Sequence, residues 1–285
     1  MKPFKVAAVQ MNALKDDLEH NLRVHAKFIR KAAKEECRLV MFPELSVTAH
    51  YGDQQVLQFA EPAGRGKIFD FVAEQAAQHK IVVGYGFCER AHGTHYNSFG
   101  LISAQGELIG VQRKIHASKD EYFSFRMGRS LETFDIGFCR IGILICYDSC
   151  FFEAWRVLAL LGAEVILEPH ASRSGWAKRI SRAKQIERLK RQRPEQSVQV
   201  AFAKSNAVFA VYGNQSGYNG HSTHAGGAYI VAPNGKRLAK SVVSPRDQII
   251  MAALDPGALR TARNQPHCTL RTRRPELYGE LTRMI

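Results

Sequence analysis

FCRIGILICYDSCFFEAWRVLALLGAE, residues 138–164, sets a buried-looking strand directly before a helix. The run IGILI is continuously apolar and ends at Cys146; a helical pattern over 152–161 opens a few residues later, and a second strand follows at 164–168. A short apolar strand, a helix and another strand make one unit of an α/β fold. A cysteine on a sharp strand-to-helix turn points its sulfur out of the sheet edge. There it lies near helical N–H groups that lower a thiol pKa. Such elbows are where α/β folds place nucleophiles. On this stretch alone, a strand-end cysteine that merely fills the core is the competing reading.

Working outward, strands are expected at 5–10, 38–42, 81–87, 96–103, 107–112, 131–135, 207–213, 226–232 and 248–254. Helices are expected over 17–35 and 66–79, with a basic helical stretch at 176–192 and an irregular tail from about 256 to 285. Unbroken alternation of strand and helix would predict a doubly wound parallel sheet. The adjacent strand pairs instead suggest two mixed sheets, each covered by helices on one face and packed back to back on the other. No repeat, low-complexity tract or Pro/Gly/Ser-rich linker divides the chain, so residues 1–285 are expected to form one domain.

Composition narrows the class. With 285 residues and 45% hydrophobic side chains, the chain can bury a full core without disulfides or structural metal. The apolar run at 157–167 is shorter than a membrane span and is interrupted by Glu164. The first residues show no secretory leader. A soluble, cytoplasmic protein is the expectation, and its six cysteines, with no CxxC pair, are expected to be reduced. The formal charge of +14 raises the question of nucleic acid, but much of it is local: residues 173–193 hold nine basic side chains and one acid, Glu187.

Two further strand ends carry chemistry. Strand 38–42 runs into FPELS, which places Glu44 just past a carboxyl end, where open α/β sheets build their sites. In VQRKIHASKDEYF, residues 111–123, Lys114 stands at the end of a strand and Glu121 follows seven residues later. Singly, these could be a solvated glutamate and a surface lysine. Together with Cys146 they form an ordered set of glutamate, lysine and cysteine at three strand ends.

At this point the sequence resembles the nitrilase superfamily of carbon–nitrogen hydrolases. FPELS, RKIH…EYF and GILICYD carry the likeness, with VAAVQMN at 6–12, Glu153-x-x-Arg156 and GAYIVAPNGK at 227–236 extending it from residue 5 to about 255. The resemblance implies a four-layer αββα sandwich. It implies Glu44 as general base, Lys114 as charge stabiliser and Cys146 as nucleophile, with Glu121, or Asp120 beside it, as a second acidic residue. Tyr147, through its backbone N–H, and His170 and Tyr51 become candidates for oxyanion or substrate binding. The implied reaction is hydrolysis of a linear amide or carbamoyl C–N bond through a thioester, with no metal or organic cofactor. Lys114 is also expected to favour the thiolate, making Cys146 the fastest of the six cysteines to alkylate.

Departures bear on the substrate. Phe152 replaces the proline common before Glu153, and Thr48-Ala49-His50-Tyr51 stands where relatives often read Thr-Gly-Tyr. Tyr147-Asp148 resembles the amidase and carbamoylase branches rather than the nitrile-hydrolysing one. Ser149-Cys150 stand where amino-acid carbamoylases tend to carry arginines, which leaves a carboxylate clamp at that spot in doubt. Glu153 and Arg156 are expected to pair on their helix. His92/His95 and His221/His224 have metal-like spacing but lack completing ligands, so they read as loop histidines. The helix FFEAWRVLALL, with Phe151, Phe152, Trp155, Leu158 and Leu161, is more apolar than one sheet-facing stripe requires and suggests a homodimer. The rival reading is a catalytically idle relative binding nucleic acid or another anionic partner through 173–193, its basic segment 176–191 forming an amphipathic helix. Three retained catalytic residue types make nucleic acid an unlikely partner.

Overall fold

The computed structural model describes residues 1–50, 54–175, 181, 183, 184, 187, 198–242 and 244–283. Fifteen strands, numbered in chain order, build three sheets among these residues. The first sheet contains β1 (Phe4–Gln10), β2 (Cys37–Met41), β3 (Val82–Ala91), β4 (Thr94–Ile102), β5 (Leu108–Arg113) and β15 (Gln248–Leu254), in the order β15-β1-β2-β3-β4-β5. The second contains β6 (Thr133–Asp135), β7 (Arg140–Ile143), β8 (Val165–His170), β10 (Phe209–Asn214), β13 (Ala228–Val231) and β14 (Arg237–Lys240), in the order β14-β13-β10-β8-β7-β6. Each has three parallel strands flanked by antiparallel partners, β1–β2–β3 in one and β7–β8–β10 in the other. A small third sheet joins β9 (Arg173–Gly175), β11 (Ser216–Tyr218) and β12 (Thr223–Ala225).

Strand alternation explains the layering. In β1, Phe4, Val6 and Ala8 share a core with Ile141 and Ile143 of β7 and Val165 and Leu167 of β8; this is the contact between the sheets. Ala7 and Val9 face the other way, into a core made with helices α1 (Leu18–Lys34) and α2 (Lys67–His79). On the far side, Leu144, Ile166 and Ala210 pack against Trp155 and Leu158 of α3 (Phe152–Leu160) and Ala203 of α4 (Val198–Ser205). Helix, sheet, sheet and helix layers follow in that order, as expected. A continuously apolar strand such as β7 results from burial on both faces.

Two elements fall where none is expected, and two expectations fail. The segment 198–205 is helical although Val198, Val200 and Phe202 favour strand; Ala203 is buried under the second sheet, and Val200 and Phe202 pack against the same core. The three-residue strands of the third sheet are too short to show a period. The tail is not irregular at its start: α5 (Pro256–Arg263) is capped by Asp255, whose side chain accepts from the Gly257 N–H, and Leu259 enters the intersheet core. Arg156 does not pair with Glu153; its Nη2 donates to the Ser205 carbonyl and Thr269 Oγ1. Most of the basic stretch 176–192 lies outside the described residues, as does Tyr51.

The segment after β2 is held from several sides. Asn21 of α1 donates to the Val47 carbonyl at 2.9 Å, and His25 Nε2 contacts Ser46 Oγ at 3.0 Å. The Val47 N–H donates to the Gly86 carbonyl, and Gln215 Nε2 donates to the Glu44 carbonyl at 2.8 Å. Gly86 is there because nothing larger fits: a Cβ would stand 2.3 Å from the Leu45 nitrogen and 2.6 Å from the Pro43 oxygen. Gly86→Ala is therefore expected to push the Glu44 segment off β3, costing roughly 1–3 kcal/mol of stability and most of the activity. Urea unfolding with an assay on the same preparation checks it; a variant matching wild type in both would refute the close approach.

Candidate active site

Cys146 ends the β7 segment on a turn of 3-10 helix, Cys146–Cys150, with φ of +52°. A left-handed conformation at a non-glycine residue costs on the order of 1–3 kcal/mol and needs support from its surroundings. Asp148 supplies it. Its Oδ2 accepts from the N–H groups of Ile145 and Ile115, and its Oδ1 accepts from the His116 N–H at 2.7 Å and contacts His116 Nδ1 at 2.8 Å. The His116 ring stacks on Phe151 with centroids 3.8 Å apart. One carboxylate thus ties the cysteine turn to the residues that follow Lys114.

Glu44, Lys114 and Glu121 are 1%, 3% and 2% exposed and come together in one cluster. Lys114 Nζ donates to Glu44 Oε1 at 2.7 Å and to Glu121 Oε1 and Oε2 at 2.9 and 2.7 Å. Asn97 Nδ2 donates to both carboxylates, at 2.8 and 2.9 Å. The Ser118 N–H and Oγ also donate to Glu121 Oε2, and His50 Nε2 lies 3.4 Å from Oε1. Glu121, not Asp120, is therefore the acid turned inward; Asp120 contacts Arg173 at 3.5 Å. Glu44 Oε2 is buried with no hydrogen-bond partner among the described residues.

The charges follow from this packing. Burial alone would raise both carboxyls, but Lys114 outweighs it and holds Glu44 and Glu121 below the usual carboxylate range. Burial would likewise favour a neutral Lys114, and Glu44, Cys146 and Glu121 overrule it, so the ammonium persists. Cys146 behaves in the opposite sense to expectation. Burial first, then Glu44, raises its thiol more than Lys114 and the Ala171 backbone lower it. Lys114 does favour the thiolate, as expected, but burial and the two carboxylates outweigh it and favour the thiol. Cys146 is only partly buried, whereas Cys150, four residues on, is exposed and is the more accessible target for a general alkylating reagent. Among the described residues, Glu44, His50 and Glu121 place ligand atoms within 4.8 Å of one another, a spacing a metal ion can use. Lys114 Nζ, 2.7 Å from each carboxylate, already supplies positive charge there.

The remaining candidates are distributed around this cluster. Tyr147 follows the cysteine with its side chain exposed and packed edge-on to Phe151. His170 lies beneath the turn, its ring nitrogens 3.1 Å from Ser149 Oγ and from Ser172 Oγ. His224 is buried and bonded to Asn219, Ser222 and the Ala171 carbonyl. Asn97, His50, Asp148 and His116 were not singled out as site residues. Asn97 could have been suspected as a polar residue inside an otherwise apolar strand, and His50 as the departure in its loop.

Three comparisons locate the chain among known proteins. The family model described as carbon-nitrogen hydrolase matches residues 5–264. A citrullinase from Francisella tularensis is 28% identical over 295 residues, covering 99% of each chain. An N-carbamoylputrescine amidase from Arabidopsis thaliana is 28% identical, covering 95% of this chain and 93% of its own. A carbon-nitrogen hydrolase from Helicobacter pylori superposes with a TM-score of 0.81 at 24% identity, over 99% of both chains. An amidase mutant from Nesterenkonia, with the acetamide moiety of fluoroacetamide on its active-site cysteine, superposes with a TM-score of 0.79 at 20% identity, covering 97% of this chain and 96% of that one.

Burial lowers His25 to about 4 and both His170 and His224 to about 3. Folded, these rings resist protonation; unfolded, they take protons below about pH 6.5, so acid favours unfolding there. Glu168 works the other way, because burial with neither oxygen partnered raises it well above the usual range. Three histidines outnumber one such acid. Stability is expected to fall as pH drops from about 6.5 to 4.5, and further as Glu44 and Glu121 protonate below that. Urea midpoints across the range test it, and a flat profile from pH 7 to 5 would refute the buried neutral rings.

Proposed function

The chain belongs to the carbon-nitrogen hydrolase family, and from that premise we propose that it cleaves a linear amide or N-carbamoyl C–N bond through a thioester on Cys146. One observation carries the reading most directly. Lys114 holds one oxygen of Glu44 at 2.7 Å and leaves the other buried with no hydrogen-bond partner among the described residues, and the Glu44 charge is felt at Cys146, whose thiol it raises. That free oxygen is a base with one task left to it. Relatives named citrullinase and N-carbamoylputrescine amidase support a small carbamoyl or amide substrate.

In the proposed reaction Glu44 Oε2 takes the Cys146 proton as Sγ attacks the carbonyl carbon. Negative charge develops on the carbonyl oxygen, where the Lys114 ammonium and the Tyr147 backbone N–H stabilise it. Collapse breaks the C–N bond, and the nitrogen leaves with the proton held by Glu44. Water then gives a proton to Glu44 and attacks the thioester; the acid departs and the proton returns to sulfur. The resting thiol fits this sequence, since deprotonation coupled to attack avoids a buried thiolate facing two carboxylates. Glu121 and Asn97 would keep Lys114 and Glu44 in place throughout. An idle relative gains no support: a buried ammonium between two carboxylates is costly to assemble and has no use in a surface that binds polyanions.

Cys146→Ala is expected to abolish turnover while leaving the fold, since the turn is held by Asp148. Glu44→Gln should lower kcat by at least 10³-fold and leave the cysteine acylated by substrates with good leaving groups. Mass spectrometry of intact protein and of its peptides reads the adduct; acylation of any other cysteine, or normal rates in Glu44→Gln, would sink the assignment.

Pairing of chains belongs to the same proposal. Trp155 and Leu158 face the sheet rather than solvent, so the exposed apolar side chains of α3 and its end are Val157, Leu160 and Leu161. A dimer through this face should persist or tighten as salt screens the +14 charge. Sedimentation velocity at micromolar protein decides it, a single 32.0 kDa species in both low and moderate salt being the contrary result.

A further inference from the structure

Arg173 opens β9, just beyond the end of β8, and Asp120 stands beside the inward-turned Glu121. Their side chains are 15% and 37% exposed and meet at 3.5 Å through Arg173 Nη1 and Asp120 Oδ2. That is long for a charge-assisted hydrogen bond, whose usual span is about 2.7–2.9 Å. Arg173 Nη2 lies 3.2 Å from His50 Nδ1, and the opposite side of that ring contacts Glu121, which holds Lys114. The guanidinium is therefore two side chains from the catalytic ammonium. Among the described residues these are its two polar contacts, although a guanidinium carries five donors. Those two contacts use two of the five donors. Asp120 has no other hydrogen-bond partner among the described residues.

From this geometry we infer that Arg173 and Asp120 recognise a zwitterionic α-amino-acid end on the substrate, the carboxylate at Arg173 and the ammonium at Asp120. This deepens the hydrolase reading and rests on it. A loosely made ion pair with spare donors and acceptors on both members is prepared for exchange: the substrate replaces one long contact by several short ones, and both protein charges stay compensated. The charge balance selects against the alternatives. Glu44 and Glu121 already outnumber Lys114, so a purely anionic end adds charge of the surplus sign beside Asp120. A purely cationic end meets Arg173. The zwitterion satisfies both, which is specificity by repulsion as well as attraction.

The experiment uses wild type and four ureido compounds of matched length, ending in an α-amino acid, a carboxylate alone, an ammonium alone or a methyl group, with a parallel amide series. The amino-acid end should give the highest kcat/KM, at least tenfold above the methyl end. Arg173→Gln should lower kcat/KM for the zwitterion at least tenfold, mainly through KM, and bring it to within about twofold of the methyl-ended compound. Arg173→Lys should fall between, because a compact ammonium lacks the planar fork. Asp120→Asn should weaken the zwitterion while improving the carboxylate-only compound. Equal rates for zwitterion and methyl end, a preference for the ammonium-only compound, or an undiminished preference in Arg173→Gln would overturn the inference. Calorimetry on Cys146→Ala reads headgroup affinity without turnover. Selective binding there with no acyl adduct on wild-type Cys146 would count against the hydrolase reading and still uphold the headgroup site; acylation without headgroup selectivity would do the reverse.

Discussion

A buried ammonium shared by two carboxylates organises this protein. Lys114 cannot lose its charge while Glu44 and Glu121 face it, and neither acid can be protonated cheaply while the ammonium remains. Each group is tolerable in the interior only because the others are present. That mutual dependence explains why so much of the surroundings is polar yet satisfied: Asn97 bridges the carboxylates, Ser118 closes Glu121 from behind, and His50 covers its remaining side. It also bears on Cys146, whose thiol is raised by burial and by Glu44 and Glu121 more than Lys114 lowers it.

The sandwich provides the rigidity such a cluster demands. Glu44, Cys146 and Arg173 each lie past the carboxyl end of a parallel strand, two of them in the second sheet and one in the first. The intersheet core, with Val6, Leu39, Ile143 and Leu167, fixes how those ends face one another. Contacts between the sheets' loops then set finer distances. Gln215, just after β10 of the second sheet, grips the backbone of Glu44 beside the first.

Much of this was legible in the sequence because it is written in local pattern. The apolar run before Cys146 and the Pro43 stop before Glu44 each reflect forces acting within a few residues. What escaped notice depends on distant partners. The 198–205 segment carries strand-favouring side chains and is helical, with Ala203 buried and Phe202 set edge-on to Phe152 and Trp155 of α3. Asn97 resembles any polar residue in a hairpin until Glu44 and Glu121 arrive from 53 and 24 residues away. The balance at Cys146 has the same origin: its neighbours in sequence suggest activation, while in space burial and two carboxylates oppose the help that Lys114 gives. The cap at Asp255-Pro256 is different, since that signal was local and available.

Asp148 has a bearing on how the molecule comes into being. Its oxygens gather N–H groups from residues 115, 116 and 145, and the Glu44 backbone waits for Gln215, 171 residues later in the chain. During synthesis Glu44, Lys114, Glu121 and Cys146 have all emerged by residue 146, and Asp148 follows two residues later, yet the side chain that holds the Glu44 backbone is still to be made. A nascent chain thus carries every charged member of the cluster before it carries the contact between the two sheets' loops that fixes one of them in place.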